Sequence, residues 1–433
     1  MHHYEKLTVE QKIKMLRIAN NYTLDQLGAV IGLTGASICF YESKDEKRKS
    51  LKYDYEQIRK IKKHFGIENA PLLDGEDIYF KEQMLDWLDI IFQNRIDEAK
   101  EMMKKLSVII RVPYETELTF LYLIFETKIM LQEKKLKEAE DRLNFIDRQL
   151  LNNKVKDDEV SYHHCYTVAS LEMAKGNYDK AIELYYEIED LDAKNFIKGL
   201  NVHFNIAQCQ SKMGRYVKAI SAMERIRHFY DYEVPSLYRI ILYNSLGINY
   251  ARIGDTDEAK NLLERALNDA EIIDSEEFAV PIIHNLGCAH LRENKYKVAL
   301  DYFENVSAKI NENHQYYLEN LYHKAVCVIL LERQRQEVED ILSAGKTLSK
   351  GKEMYSILFE SLGHLSVCDK AEAKESREYL ENKTIPYLIS ELKYNMAIFY
   401  CEQLKKYYFG ATRSAKAHEM DGIINEITSK AIK

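Results

Sequence analysis

Carboxamides, guanidinium groups and imidazoles recur along this 433-residue chain at spacings that suit helix faces. Asn201 and Asn205 share a face by their i, i+4 spacing, and Gln208, Asn244, Asn285 and Asn320 follow. One carboxamide supplies both a donor and an acceptor, so it pairs with the main chain of an extended peptide whatever that peptide's side chains are. Arg252, Arg292 and Lys324 are suited to a carboxylate, and His284 and His323 stand among the same positions.

Motifs that would catalyse are missing. The chain contains no P-loop, GxSxG, HExxH or Gly-rich dinucleotide motif. Its His-rich spots are His2-His3 and His163-His164-Cys165, and adjacent histidines on a helix point to different faces. The seven cysteines are spread singly, with no CxxC pair and no tight cluster that would make a zinc site. No enzyme, metal or cofactor is expected.

Charge is divided unevenly. Residues 1–65 hold thirteen basic and eight acidic residues, a surplus of five, while the whole chain carries −8, which leaves −13 for the remainder. A basic head on an acidic body suits a polyanion-binding module carried by a scaffold that itself repels polyanions. The first residues contain no apolar core of a signal peptide, and the most apolar stretch, 120–125, is too short to cross a bilayer. A soluble, cytoplasmic protein without membrane contact is expected.

Scarce glycine (16) and proline (5) beside 30% charged residues point to an all-α chain. In the head, Ile13, Leu16 and Ala19 fall on one helical face. Thr23 and Gln26 form a capping box for a second helix that buries Leu27, Val30 and Ile31. Gly32 makes a turn, Thr34 caps a short third helix to Tyr41, and a fourth helix carrying Tyr55, Ile58, Ile61 and Phe65 closes the bundle.

With Gln26, Leu27, Gly32, Thr34, Ile38 and Glu42 at their spacing, this head resembles the lambda-repressor-like (XRE) helix-turn-helix family over residues 9–66. The resemblance implies a third helix in the major groove of double-stranded DNA, with Gln26, Thr34, Ala36, Ser37 and Phe40 at the contact. The third helix offers no Arg, Lys, Asn or Gln for bidentate base reading, so shape and thymine-methyl contacts carry more of the readout. Lys44, Lys47, Arg48, Lys49 and Lys52, just beyond it, suit phosphates.

Beyond a turn-rich stretch at 66–75 the chain repeats. Gly176-Asn-Tyr-Asp-Lys-Ala181, Gly214-Arg-Tyr-Val-Lys-Ala219 and Gly254-Asp-Thr-Asp-Glu-Ala259 are copies, and Asn294 to Ala299 is a fourth. The final alanine gives the series Ala99, Ala139, Ala181, Ala219, Ala259, Ala299, Val338, Ala373 and Ala411, room for nine helical hairpins. Pro113, Pro235 and Pro386 lie 26, 24 and 25 residues before a marker, as expected of breaks between hairpins.

The best unit, from Tyr243 through Leu246, Gly247, Tyr250, Gly254 and Ala259 to Leu263 and Ala266, resembles a tetratricopeptide (TPR) repeat. That resemblance implies a right-handed superhelix with a concave groove lined by the first helix of each pair. In this register Asn205 and Asn285 take the same groove position two repeats apart.

A head of this type joined to a TPR body resembles the peptide-pheromone receptors of the Rap/Rgg/NprR/PlcR/PrgX group, especially the NprR type, and the arbitrium receptors of phages. The group implies a homodimer in which a short signalling peptide modulates DNA binding. Its Rap-like members suggest an alternative: a scaffold that sequesters a response regulator or another protein. The expected organisation is residues 1–66 as the DNA-binding domain, 67–80 as a linker and 81–433 as the repeat domain.

Overall fold

Two local rules shape most of this chain: a left-handed residue that turns it, and a methyl-sized side chain where paired helices cross. The computed structural model describes residues 8–42, 53–70, 72–73, 76–108, 117–153, 157–191, 196–230, 236–332, 334–411 and 413–432. Its two compact units, 1–196 and 197–433, are described separately.

The head consists of α1 (Val9–Ala19), α2 (Leu24–Ile31), α3 (Gly35–Tyr41) and α4 (Tyr55–Phe65). Capping boxes start three of them, Thr8 with Gln11, Thr23 with Gln26, and Asp54 with Gln57, and Thr34 caps α3. Gly32 ends α2 in the left-handed region, and α2 and α3 meet at 99°. A Cβ on Gly28 would lie 2.5 Å from the Leu33 carbonyl oxygen, so the turn closes only over a bare backbone. Both oxygens of buried Glu42 accept 2.7 Å bonds from the Arg17 guanidinium, which locks the end of α3 to α1.

Ile13, Leu16, Leu27, Ile31, Ile38, Ile58 and Ile61 fill the head's core. Two of the expected core residues lie outside it: Ala19 is exposed at the last position of α1, and Tyr55 is 73% exposed. Tyr53, two residues earlier, enters instead. The expected boundary at residue 66 and the linker 67–80 also need correction. Ile67, Ala70 and Leu72 belong to the head's core, and the next helix begins at Glu76. The Glu76 carboxylate accepts from the Leu72 and Leu73 amides and from Lys62, so the strap is held in place.

Nine helical pairs follow among the described residues. In the first unit they are α5 (Glu76–Phe92) with α6 (Ile96–Leu106), α7 (Glu117–Gln132) with α8 (Leu136–Asn153), and α9 (Asp158–Ala174) with α10 (Tyr178–Leu191). The fourth pair, α11 (Phe196–Lys212) with α12 (Tyr216–Tyr230), opens the second unit. It is followed by α13 (Leu237–Ile253) with α14 (Thr256–Ile272), α15 (Glu276–Arg292) with α16 (Tyr296–Lys309), and α17 (Tyr317–Leu330) with α18 (Arg335–Leu348). In the eighth pair α19 (Glu353–Leu365) faces an arm made of α20 (Lys374–Tyr379), a π-helical turn (Leu380–Thr384) and α21 (Ile385–Ser390). The ninth is α22 (Tyr394–Gly410) with α23 (Ser414–Ile432).

The turns of the first six pairs share one geometry. Asn94, Lys134, Gly176, Gly214, Gly254 and Asn294 all have positive φ, five residues before the marker alanine. In each, the next amide reaches back five residues, as in Asp255 to the Tyr250 carbonyl oxygen at 3.0 Å, closing a Schellman-type end. Glycine therefore fills only half of these turns. The markers Ala99, Ala139, Ala181, Ala219, Ala259 and Ala299 are all fully buried. Gly247 and Gly287 serve the same approach from the first helix: a Cβ there would lie 2.7 Å from the side chains of Leu263 and Phe303.

The last two markers were misassigned. Ala373 is the N-cap of α20 and Ala411 the C-cap of α22. The residues standing where the other alanines stand, four after the helix cap, are Arg377 and Ala417. Pro386 does not separate hairpins either. It lies at the start of α21 inside the eighth pair's second arm, directly after the π-helical turn, which interrupts the helical ladder where its missing N–H and its ring need room. Pro113 and Pro235 lie outside the described residues.

Arg377 replaces a methyl by a buried cation and satisfies it with backbone. Its guanidinium donates to the carbonyl oxygens of Cys368, Lys370 and Ala371 and lies 4.3 Å from the Tyr407 ring. Arg377→Ala should take a donor from three carbonyls, of which that of Lys370 keeps the Ala373 amide, and cost roughly 2 kcal/mol. Thermal unfolding of the full chain followed by circular dichroism checks this, with Lys374→Ala on the exposed side of the same helix expected to change nothing.

Candidate functional site

The second unit brings the first helices of consecutive pairs side by side. Lys212, Arg252 and Arg292 each stand seven residues before their marker, one per repeat, and so form a ladder across α11, α13 and α15. Across from it comes the ninth pair. Tyr216, at the start of α12, shares an apolar cluster with Tyr394 and Tyr400 of α22, and a Cβ on Gly214 would meet the Tyr394 ring at 2.4 Å. This contact carries Lys393, just before α22, to the ladder.

Among the described residues none of these four cations forms an ion pair; Glu319 and Glu391 act on Lys393, and Glu402 on Arg292, only from farther off. Burial, then the charges of Lys212 and Arg252, hold the Lys393 ammonium below its usual range, with Glu319 and Glu391 opposing. Burial, then Arg252, does the same to Arg292, although much of the Arg292 surface is open to water. Arg252 is anchored by a 2.8 Å bond to Ser211 Oγ and lies 5.1 Å from the Tyr216 ring.

Carboxamides flank the ladder. Asn201, Asn205 and Gln208 are half-buried on α11, and Gln208 Nε2 donates to Ser245 Oγ at 3.0 Å. Asn285 Nδ2 donates to Asn244 Oδ1 at 2.8 Å, joining α15 to α13. Such a bond exchanges readily for one to a ligand's main chain. Lys324 is drawn to Glu304 at 3.7 Å.

Two expected contact residues are structural instead. Asn320 is buried, its Nδ2 donating 2.9 Å bonds to the Phe303 carbonyl oxygen and Ser307 Oγ, so it pins α17 to α16. His284 is 3% exposed and faces His323, 3.2 Å away, rather than open solvent. Burial lowers both imidazoles, His323 to about 4. Sequence spacing showed no cluster of cysteines; in the structure Cys288 lies beside these two histidines. The pair His163 and His164 is buried and structural, His164 Nε2 lying 3.2 Å from Asp147.

In the first unit, Thr34, Ala36 and Phe40 are exposed on α3 and Ser37 is half-buried. Gln26 is exposed, but its Oε1 is occupied by the Thr23 amide. Lys44, Lys47, Arg48, Lys49 and Lys52 lie outside the described residues. Lys212 and Lys393 were missed by the sequence reading. The register of Arg252 and Arg292 contains the signal for Lys212; nothing local signals Lys393.

Removing one member of a crowded cation group should relieve repulsion. Arg292→Gln is expected to raise the thermal midpoint at low ionic strength and to make it less responsive to added sulfate than that of the parent. A midpoint that falls, with unchanged sulfate response, counts against a shared anion site.

The tetratricopeptide repeat model matches residues 200–272, the fourth and fifth pairs. Over 362 residues the chain is 22% identical to the transcriptional activator NprA of Geobacillus stearothermophilus, covering 82% of this chain and 88% of that one. The fold is similar to a Rap protein crystallised with competence and sporulation factor, at a TM-score of 0.65 and 16% identity over 82% of this chain and 98% of the other. It is also similar to the apo quorum sensor NprR from B. thuringiensis, at a TM-score of 0.61 and 17% identity over 81% and 99% of the two chains. NprR with its cognate peptide NprX gives a TM-score of 0.56 at 17% identity over 80% and 99%. The sequence is thus similar to that of NprA over four fifths of the chain, and the fold is that of the Rap and NprR arrays of TPR repeats.

Proposed function

We propose that the protein is a peptide-responsive transcriptional regulator. The observation that carries this reading is the group of four cations that form no ion pair among the described residues, flanked by carboxamides on neighbouring first helices. Such a group fits a short extended peptide: Asn205, Asn244 and Asn285 pair with its main chain, while Arg252, Arg292, Lys212 and Lys393 take a terminal or side-chain carboxylate. That NprR was crystallised with a cognate peptide, and that NprA is named a transcriptional activator, supports the same reading.

In this reading the head is a helix-turn-helix module and α3 enters the major groove of double-stranded DNA. Thr34, Ala36, Ser37 and Phe40 form its outer face, and the basic run from Lys44 to Lys52 meets phosphates. Arg17 and Glu42 fix the angle at which α3 is presented. Two heads in a homodimer read two half-sites, and the peptide acts by binding one spacing of the heads better than another.

Two measurements test the halves of this proposal. Mobility shifts with DNA enriched from a random library should show binding that weakens steeply with salt and falls at least about tenfold in Ala36→Glu. Equal affinity in parent and variant removes α3 from the contact. If a short reading frame beside the gene encodes a secreted propeptide, calorimetry with its C-terminal fragments should show about a tenfold loss for Asn205→Ala and for Asn285→Ala. Unchanged affinity in both removes the carboxamides from the site.

A further inference from the structure

α15 and α17 carry the same short pattern one repeat apart: His284-x3-Cys288 and His323-x3-Cys327, both histidines fifteen residues before their markers. At i, i+4 the two side chains of each pattern share a helix face. Of the nine pairs only these two have histidine and cysteine at those positions. Packing the helices side by side brings three of the four together. His284 Nε2 lies 3.2 Å from His323 Nδ1, Cys288 Sγ lies 3.9 Å and 4.0 Å from the His284 ring nitrogens, and one ligand atom from each residue falls within 4.8 Å of the others. The fourth, Cys327, is fully buried in the apolar wall with Phe303, Leu300 and Val328.

We propose that His284, Cys288 and His323 form a binding site for a borderline d-block cation, zinc(II) first, which joins the sixth and seventh helical pairs. Metal–nitrogen bonds of about 2.0–2.1 Å and a metal–sulfur bond of about 2.3 Å in a tetrahedron place the donor atoms roughly 3.3–3.6 Å apart. The observed separations, 4.8 Å at most, close to that spacing by rotation of the side chains. His323 has the outer support a ligating histidine requires. The Glu319 carbonyl oxygen, 3.0 Å from Nδ1, accepts its N–H; with Nε2 as the ligand atom, the ring must turn from the position in which Nδ1 faces His284. The Phe303 ring stacks on His323 at 5.6 Å and holds its plane.

A nitrogen, nitrogen, sulfur donor set disfavours magnesium and calcium and favours zinc(II) or copper(I). Binding replaces the Cys288 S–H bond by a metal–sulfur bond, and the thiol proton leaves to solvent. Three protein ligands leave one tetrahedral position for water. Because the ligands come from two successive first helices, the cation fixes the angle between two repeats that otherwise meet through side-chain packing.

The probe is cobalt(II), then zinc(II), added to the full chain after chelation and reduction, in a His2→Ala/His3→Ala background that removes the terminal histidine pair. One equivalent of cobalt(II) should produce a sulfur-to-metal charge-transfer band with tetrahedral ligand-field bands, and zinc(II) should displace both and raise the thermal midpoint. Cys288→Ser should abolish the charge-transfer band, His323→Gln should weaken binding at least about tenfold, and Cys327→Ser should keep the band. Absence of the band, or its survival in Cys288→Ser, overturns the proposal. If Cys288→Ser fails to fold, zinc-edge X-ray absorption of the parent decides: sulfur at about 2.3 Å together with nitrogen supports the site, and a shell of nitrogen and oxygen alone refutes it.

Discussion

Paired helices in this protein approach one another because a methyl group, or a bare Cα, stands where they cross. Ala259 and Gly247 meet within one hairpin, and Gly247 has Leu263 where its own Cβ would be. Everything functional in the second unit depends on that approach. It sets the spacing of successive first helices, and so the reach of Asn285 to Asn244 and of His284 to His323. A larger side chain at the crossing displaces a whole helix with all the groups it carries, since close-packed interiors do not absorb extra volume locally.

The repeat was legible because the same constraint recurs at the same place. Gly254 and Ala259 announce a turn and a crossing, and the copies at Gly176 and Gly214 repeat the announcement. Where the constraint is met by other means, the sequence misleads. Arg377 does not look like a marker, since it replaces a methyl by a guanidinium that finds three carbonyl oxygens, while Ala373 and Ala411 carry the methyl but stand at helix caps. The head's capping boxes were readable for a similar reason, being local bonds between residues three apart. The strap from Ile67 to Leu72 was not, because its turn-rich composition hides three buried side chains.

For the candidate site the division is sharper. Helical phase places Asn320 and His323 among the groove positions, but phase does not say what faces them. Asn320 turned out to meet the backbone of α16, and His323 a histidine from the preceding repeat. Lys393 was invisible because its position depends on the fourth pair touching the ninth, nearly two hundred residues apart in the chain. The zinc-type cluster escaped for a simpler reason. Spacings between cysteines were weighed, whereas the signal is a histidine and a cysteine four apart, repeated in the next hairpin.

One helix links both features of the second unit. α15 carries Asn285, Cys288 and Arg292 within two turns, so the carboxamide bond to α13, the histidine and cysteine cluster shared with α17, and the cation ladder all bear on a single rod. Holding unpaired cations together costs stability, which an anion returns on binding. An anion at Arg292 and a cation at Cys288 lie one turn apart on a helix that both must position. If the two positions differ, each ligand alters the affinity of the other by the same factor, and the sign follows from whether the metal holds α15 where the peptide needs it. If they coincide, each ligand spares the other the cost of ordering that joint, and coupling is positive without any change of shape.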